Sequence, residues 1–184
     1  MLPLSPYEQK VNLESSKATY NAVAADYAPY ATATDMVVLQ NPATSTKTIK
    51  LARVIINGNV TTTAGYQDIY GVIQDILNTG GTIGGTPTIR KYDAADVTAS
   101  GVVYYYSTAP TIGSGAQRSV IRAGHYSFPA TVPAFPVSEI IWAFGDHAAK
   151  SPTIYPGQQF SVSCAGQAIT AGLNIYVTFE WTEE

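Results

Sequence analysis

The most restrictive stretch in this sequence is its last one, Leu173–Thr182. Leu173, Ile175, Val177, Phe179 and Trp181 alternate without a break with Asn174, Tyr176, Thr178, Glu180 and Thr182. A period of two sends every large apolar group to one side of an extended chain and the polar groups to the other. Such a strand needs a sheet with one buried face, and a second face that is wet or at a contact. Its polar side has one charge, Glu180, so it is a poor free edge and is expected in the middle of a sheet. Its apolar side should meet Ile140, Trp142 and Phe144, and also Phe160, Val162 and Cys164.

The rest of the chain supplies candidate neighbours. Asp35–Gln40 reads as a short strand stopped by Asn41-Pro42. In the next strand, Lys47–Asn57, Ile49 and Leu51 share one parity while Val54 and Ile56 share the other. All four can be buried only if one residue is inserted, which predicts a β-bulge at Ala52-Arg53. Asn57-Gly58 then signals a hairpin. Tyr66–Leu77 fits helical spacing, but Gly71 sits inside it and β-type turns flank it, so a strand is expected. Further strands are expected at Thr88–Lys91, Gly101–Ser107, Arg118–Arg122, His125–Phe128, Glu139–Phe144, Thr153-Ile154 and Gln159–Cys164. Pro156-Gly157 has the sequence of a type II turn. Eight to ten short strands with regular turn signals describe an all-β antiparallel sandwich, and a jelly-roll arrangement suits the count.

Composition restricts function by exclusion. Charged residues are 12% of the 184, against about 25% in typical domains, and the net charge is −3. A surface with so few charges is either partly covered by neighbours or kept in water by the hydrogen bonding of Thr, Ser, Asn and Gln. Without a basic run the chain lacks the electrostatic footprint of a nucleic-acid binder. No stretch approaches a membrane span, and no signal-peptide pattern follows Met1. Synthesis in a cytoplasm, independent of oxidation, is therefore expected. Cys164, the one cysteine, falls on the Phe160/Val162 face and reads as a small buried hydrophobe. His125 and His147 lack Cys or carboxylate partners at ligand spacing, and the aspartates Asp68, Asp75, Asp93 and Asp96 lack a calcium-loop pattern. Asn78–Pro87 is glycine-rich, but no Gly-Lys-Ser/Thr follows, so it is no phosphate cradle. No nucleophile-elbow motif is present. No enzyme, metal site or cofactor is expected.

Residues 1–33 read differently. They show weak helical spacing and then an extended Ala28–Ala33, and they hold Tyr7, Tyr20, Tyr27 and Tyr30. The expected division is an arm over 1–33, lying along its own sandwich or reaching a neighbouring subunit, followed by a sandwich over 34–184. Tyrosine suits interfaces because it combines a large apolar ring with a polar tip. Candidate interface residues are those four and Tyr105, which faces away from Tyr104 and Tyr106. Aromatic platforms also stack on sugars, so a carbohydrate-binding module is a second reading.

Five motifs in order suggest more. They are Thr48–Gly58, Asn78–Thr82, Ala109–Gly113, Trp142–Asp146 with Ile154–Val162, and the closing Val177–Glu183. Together they resemble a group of small proteins encoded by tailed bacteriophages and prophages, over roughly residues 34–184. The resemblance implies a virion structural protein, assembled in the host cytoplasm. It would be a capsid cement or decoration protein, or else a component of the neck, tail or fibre. Implied partners are the major capsid protein or other virion proteins and further copies of the chain, with a trimer favoured.

Overall fold

The computed structural model describes residues 17–61, 64–112, 117–128, 130, 139–145 and 150–184. Among these residues there are twelve strands and no helix: β1 (Thr19–Tyr27), β2 (Asp35–Gln40), β3 (Ile49–Val60), β4 (Gly65–Gln74), β5 (Ile83–Gly85), β6 (Arg90–Lys91), β7 (Val102–Tyr106), β8 (Arg118–Phe128), β9 (Ile140–Ala143), β10 (Thr153–Ile154), β11 (Gln159–Ser163) and β12 (Leu173–Glu183). They form two antiparallel sheets packed face to face. Sheet I has the order β10-β3-β12-β1-β6, with β9 also paired to β3, and sheet II has the order β5-β7-β2-β11-β4-β8. The fold is a β-sandwich.

The strand β12 lies between β3 and β1, as its pattern requires, and buried residues alternate with partly exposed ones along its whole length. The β3 bulge is also present. Glu180 pairs with Arg53 and Trp181 with Leu51, so Ala52 is the extra residue. That insertion lets Ile49, Leu51, Val54 and Ile56 all point inward. One continuous inner layer results, in which Phe179 meets Phe160 edge-on at 6.0 Å and Tyr20 packs beside Trp181 at 5.8 Å. Cys164, Ile140 and Trp142 belong to the same layer, and Phe144 packs against it half-buried. Burial pushes the Cys164 thiol up to about 12, so it behaves as the inert apolar residue its position implies.

Three expectations are corrected. The first is the boundary at residue 33. Thr19–Tyr27 is a strand of sheet I, hydrogen-bonded to β12 on one side and β6 on the other, so the sandwich includes these residues. The helical spacing of Tyr20, Val23, Ala24 and Tyr27 coexists with a strict alternation of Tyr20, Ala22 and Ala24, and all three of these are buried. Ala22 faces Phe179 across the ladder, where a larger side chain would compete with that ring. Second, Asn57-Gly58 is no hairpin, because β3 runs on to Val60. Gly58 serves a close approach: a Cβ there would stand 2.4 Å from the Asn174 carbonyl oxygen of β12. Third, Arg118–Arg122 and His125–Phe128 are one eleven-residue strand, with the Tyr126 ring folded over Gly124.

The remaining turns follow their chemistry. Gly157 has φ of 83°, and Gln158 N–H donates to the Tyr155 carbonyl at 3.0 Å, which closes the type II turn at Pro156-Gly157. The glycine-rich stretch contains β5. A Cβ at Gly84 or Gly85 would come within 2.6 or 2.5 Å of the Tyr105 ring, so these glycines make room for that tyrosine.

Candidate interaction surfaces

The tyrosines singled out by sequence have mixed fates. Tyr20 is fully buried and donates its hydroxyl to the Val97 carbonyl at 2.9 Å. Tyr27 is buried, donates to the Tyr106 carbonyl and packs at 4.6 Å from Tyr105. Burial raises the pKa of both phenols, so neither ionises near neutrality. Tyr30 is half-buried, donates to the Asp35 carbonyl and accepts from Thr34 N–H. Tyr105 is half-buried against the core. Tyr20 and Tyr27 are taken up within their own sandwich, which corrects their reading as interface residues, while Tyr30 and Tyr105 keep part of their surface exposed. Tyr7 lies outside the described residues. The exposed phenols are instead Tyr66 at 65%, Tyr92 at 59% and Tyr155 at 51%. Parity could have found Tyr66 and Tyr92, because each falls on the outer side of its sheet.

The outer face of sheet II holds a polar network that is buried within the single chain. Arg118 forks onto Asp35 at 2.7 and 3.1 Å and also donates to Gln74. Asn78 donates its side-chain amide to Asp35 at 2.7 Å and its backbone N–H to Gln159 at 3.0 Å. Gln74 returns a bond to Asn78 at 2.6 Å, and Gln159 donates to Ser161 at 3.1 Å. The loop after β4 is thus pinned across the sheet. Beside it Val38, Tyr104 and Tyr106 form a small second cluster, with Tyr104 donating to Gln40 at 2.9 Å. Because the donors and acceptors here satisfy one another, the cluster reads as structure rather than chemistry.

At the rim of sheet II, β8 pairs with β4 from Phe128 to Arg118. Tyr66 and His125 stack with centroids 5.2 Å apart and planes 7° from parallel. His125 Nδ1 faces Asp68 Oδ1 at 2.5 Å, and this hydrogen bond holds the Asp68 carboxyl below its ordinary value. Val120 is exposed on the same strand. β8 is the last strand of the sheet, and among the described residues no strand pairs with its outer edge. On its inner side a cleft of about 270 Å³ opens between Ile121, Arg122, Phe144 and Lys150. The Arg122 guanidinium lies 4.8 Å over the Phe144 ring and donates to the Ala143 carbonyl at 3.4 Å.

The outer face of sheet I is different again. Val23, Thr178, Ile55 and Ile141 form one row across β1, β12, β3 and β9. The next row is Asn21, Glu180, Arg53 and Ala143. Arg53 and Glu180 form an ion pair at 3.4 Å, and Tyr92 donates to Glu180 at 2.9 Å. Ile141 is 54% exposed and Val23 45%. Among the described residues no group of three or more His, Cys, Asp or Glu could hold a metal ion.

No family model, curated protein or solved structure matches this chain.

Proposed function

We propose that this chain is a virion structural protein that binds the capsid surface and stabilises it as a decoration protein. The observation that carries the reading is the β4–β8 rim. A long strand edge is offered there beside exposed Tyr66, His125 and Val120, on a sandwich whose interior is already filled. An open strand edge with apolar and aromatic side chains beside it suits β-augmentation by a partner's extended segment: the main chain gives affinity and side-chain pockets give register. The resemblance of residues 34–184 to phage proteins points the same way, to binding rather than turnover. Capsid shells offer extended segments in many identical copies, so an interface of modest size at each one accumulates into stabilisation of the particle.

The test is co-sedimentation with purified virions, with the copy number measured against the major capsid protein. Hundreds of copies support a capsid component. A dozen or fewer would assign the chain to the neck, tail or fibre instead. Tyr66→Ala and Val120→Glu should release the protein from particles while leaving its melting temperature within a few degrees. Any test of an N-terminal arm has to stop short of Thr19, because a longer deletion cuts into β1.

One observation favours a second reading, a glycan-binding module. Tyr66, His125 and Asp68 put an aromatic face beside a carboxylate, and this is sugar-recognition chemistry. A glycan array decides: a hit abolished by Tyr66→Ala replaces the capsid reading, and an array without hits removes this one.

A further inference from the structure

We propose that the outer face of sheet I is a self-association surface that pairs two copies of this chain about a two-fold axis. The inference is independent of the capsid reading, which rests on the opposite sheet.

Four strands of sheet I contribute to the face. Neighbouring strands lie about 4.8 Å apart; β12 spans Asn174 to Thr182 at about 3.4 Å per residue, roughly 27 Å, while the four-residue β9 reaches about half that length. The face is on the order of 450 Å² per copy and about 900 Å² for two, close to the lower bound for a specific interface. Its central row is uncharged and β-branched throughout: Val23, Thr178, Ile55, Ile141. A second copy is the occupant that the arrangement of its charges selects.

The register gives the reason. Arg53 and Glu180 are directly paired, so they sit at one height on the adjacent strands β3 and β12. An axis lying in the interface, parallel to the strands and midway between β3 and β12, exchanges those two strands. It brings Arg53 of one copy over Glu180 of the other, and the reverse, so two ion pairs become a closed four-charge network. In the central row the same axis sets Ile55 over Thr178 and Ile141 over Val23, and above Asn57 it sets Tyr176. Among these named pairs no like charges meet. An axis turned by a right angle would instead carry the Arg53 row onto the Asn57 and Tyr176 row and leave the charges without partners. Face-to-face sheets prefer strand directions aligned within about 30°, and the parallel axis allows this. An isologous contact of this kind closes at two copies, so it replaces the trimer expected from sequence with a dimer.

The experiment is the mass of the full chain by sedimentation equilibrium across a concentration series, with charge reversal. The wild type should reach twice the 19.5 kDa of one chain. Arg53→Glu sets Glu over Glu at two places, and Glu180→Arg sets Arg over Arg; each should weaken dimerisation at least tenfold. The R53E/E180R double variant restores both pairs and should recover the dimer to within about threefold. Ile141→Glu should leave a monomer that melts as the wild type does. A monomeric wild type overturns the proposal, as does a trimeric mass, a dimer indifferent to Ile141→Glu, or a double variant no better than the singles. A chain that dimerises only after residues 2–16 are deleted would show that its own N-terminus covers the face, which also overturns it. Particle binding that survives Ile141→Glu separates this result from the capsid reading.

Discussion

Across the outer face of sheet I runs a row of Val23, Thr178, Ile55 and Ile141, with its end residues open to solvent. The corresponding layer of sheet II holds Asp35, Gln74, Gln159 and Ser161, all buried. The more apolar face is the exposed one, and the more polar face is covered by its own chain. What reverses the usual order is the loop after β4, which folds back over sheet II and supplies Asn78 as a partner for Asp35 and Gln159. Polarity on a strand therefore marks a side of the sheet and does not by itself mark water. A buried polar residue is stable when something donates to it, and an exposed apolar one needs no explanation unless it is part of a continuous face.

The largest expected effect concerns what the two sheets share. Phe179 is fully buried between them and packs on Phe160, so Phe179→Ala should cost about 3–5 kcal/mol in urea unfolding. A cost below about 1 kcal/mol would mean that the two inner faces do not form one layer, and the contrast between outer faces would lose its basis.

Next comes the contrast itself. Asp35 is fully buried, while the Arg118 side chain keeps 23% of its exposure. Removing one member of a buried pair leaves the other uncompensated, at about 3–5 kcal/mol, and the partial exposure of Arg118 places Asp35→Ala near the low end. The same measurement on Thr178→Ala, in the centre of the sheet I face, should give under about 1 kcal/mol for the monomer. Equal costs at the two sites would show that the sheet II network is as solvated as the sheet I face.

Much of this was legible in the sequence. Parity alone located the Ala52 bulge, because four apolar residues on two parities cannot share one face without an insertion. It also placed β12 inside a sheet. β1 was harder. Its inward residues Ala22 and Ala24 are small, have weak strand preference, and suit helical spacing equally well. Their size makes sense only beside Phe179 and Val177 on the neighbouring strand, which is tertiary information. Asn57-Gly58 failed for a related reason. The glycine answers a backbone passing close by, and a local turn signal cannot distinguish that from a bend. Tyr20 and Tyr27 were misplaced because their segment shows no clear strand pattern, yet it is a strand whose neighbours bury them. The Asp35 network gave no local signal at all: its directly bonded members are separated by up to 83 positions.

Glu183 sharpens the comparison from within sheet I, since it is the one buried carboxylate at the end of β12. Its side chain has no exposure. Burial disfavours its charge, but the backbone N–H groups of Gly101 and Ser100 and the Trp181 indole donate to it at 2.8 to 3.1 Å, and together they hold its pKa below the ordinary 4.5. The carboxylate therefore stays ionised in the folded chain at a pH where the unfolded chain has taken up a proton. Its stabilisation is complete above about pH 4.5 and drains away as the pH falls through the lower folded value. Glu183→Gln should cost about 2 kcal/mol at pH 7, through loss of charge-assisted hydrogen bonds. The gap between variant and wild type should narrow steadily between pH 5 and pH 3 in urea titrations; a gap constant with pH would mean that the carboxylate is not ionised when folded.

The smallest effect tests whether the sheet I face is as wet in the monomer as its exposure implies. Tyr92 donates to Glu180 from a position 59% exposed, beside the Arg53–Glu180 ion pair. In water that hydroxyl exchanges one acceptor for another at little cost, so Tyr92→Phe should change monomer stability by less than about 0.5 kcal/mol. In the R53E background Glu180 has lost its cation and keeps the Tyr92 hydroxyl, so the same substitution should cost measurably more. A double-mutant cycle on the Ile141→Glu monomer reads the difference directly. If Tyr92→Phe alone costs more than about 1 kcal/mol, Glu180 is drier than its surroundings suggest. The face would then be partly covered within the single chain, in the way that sheet II is.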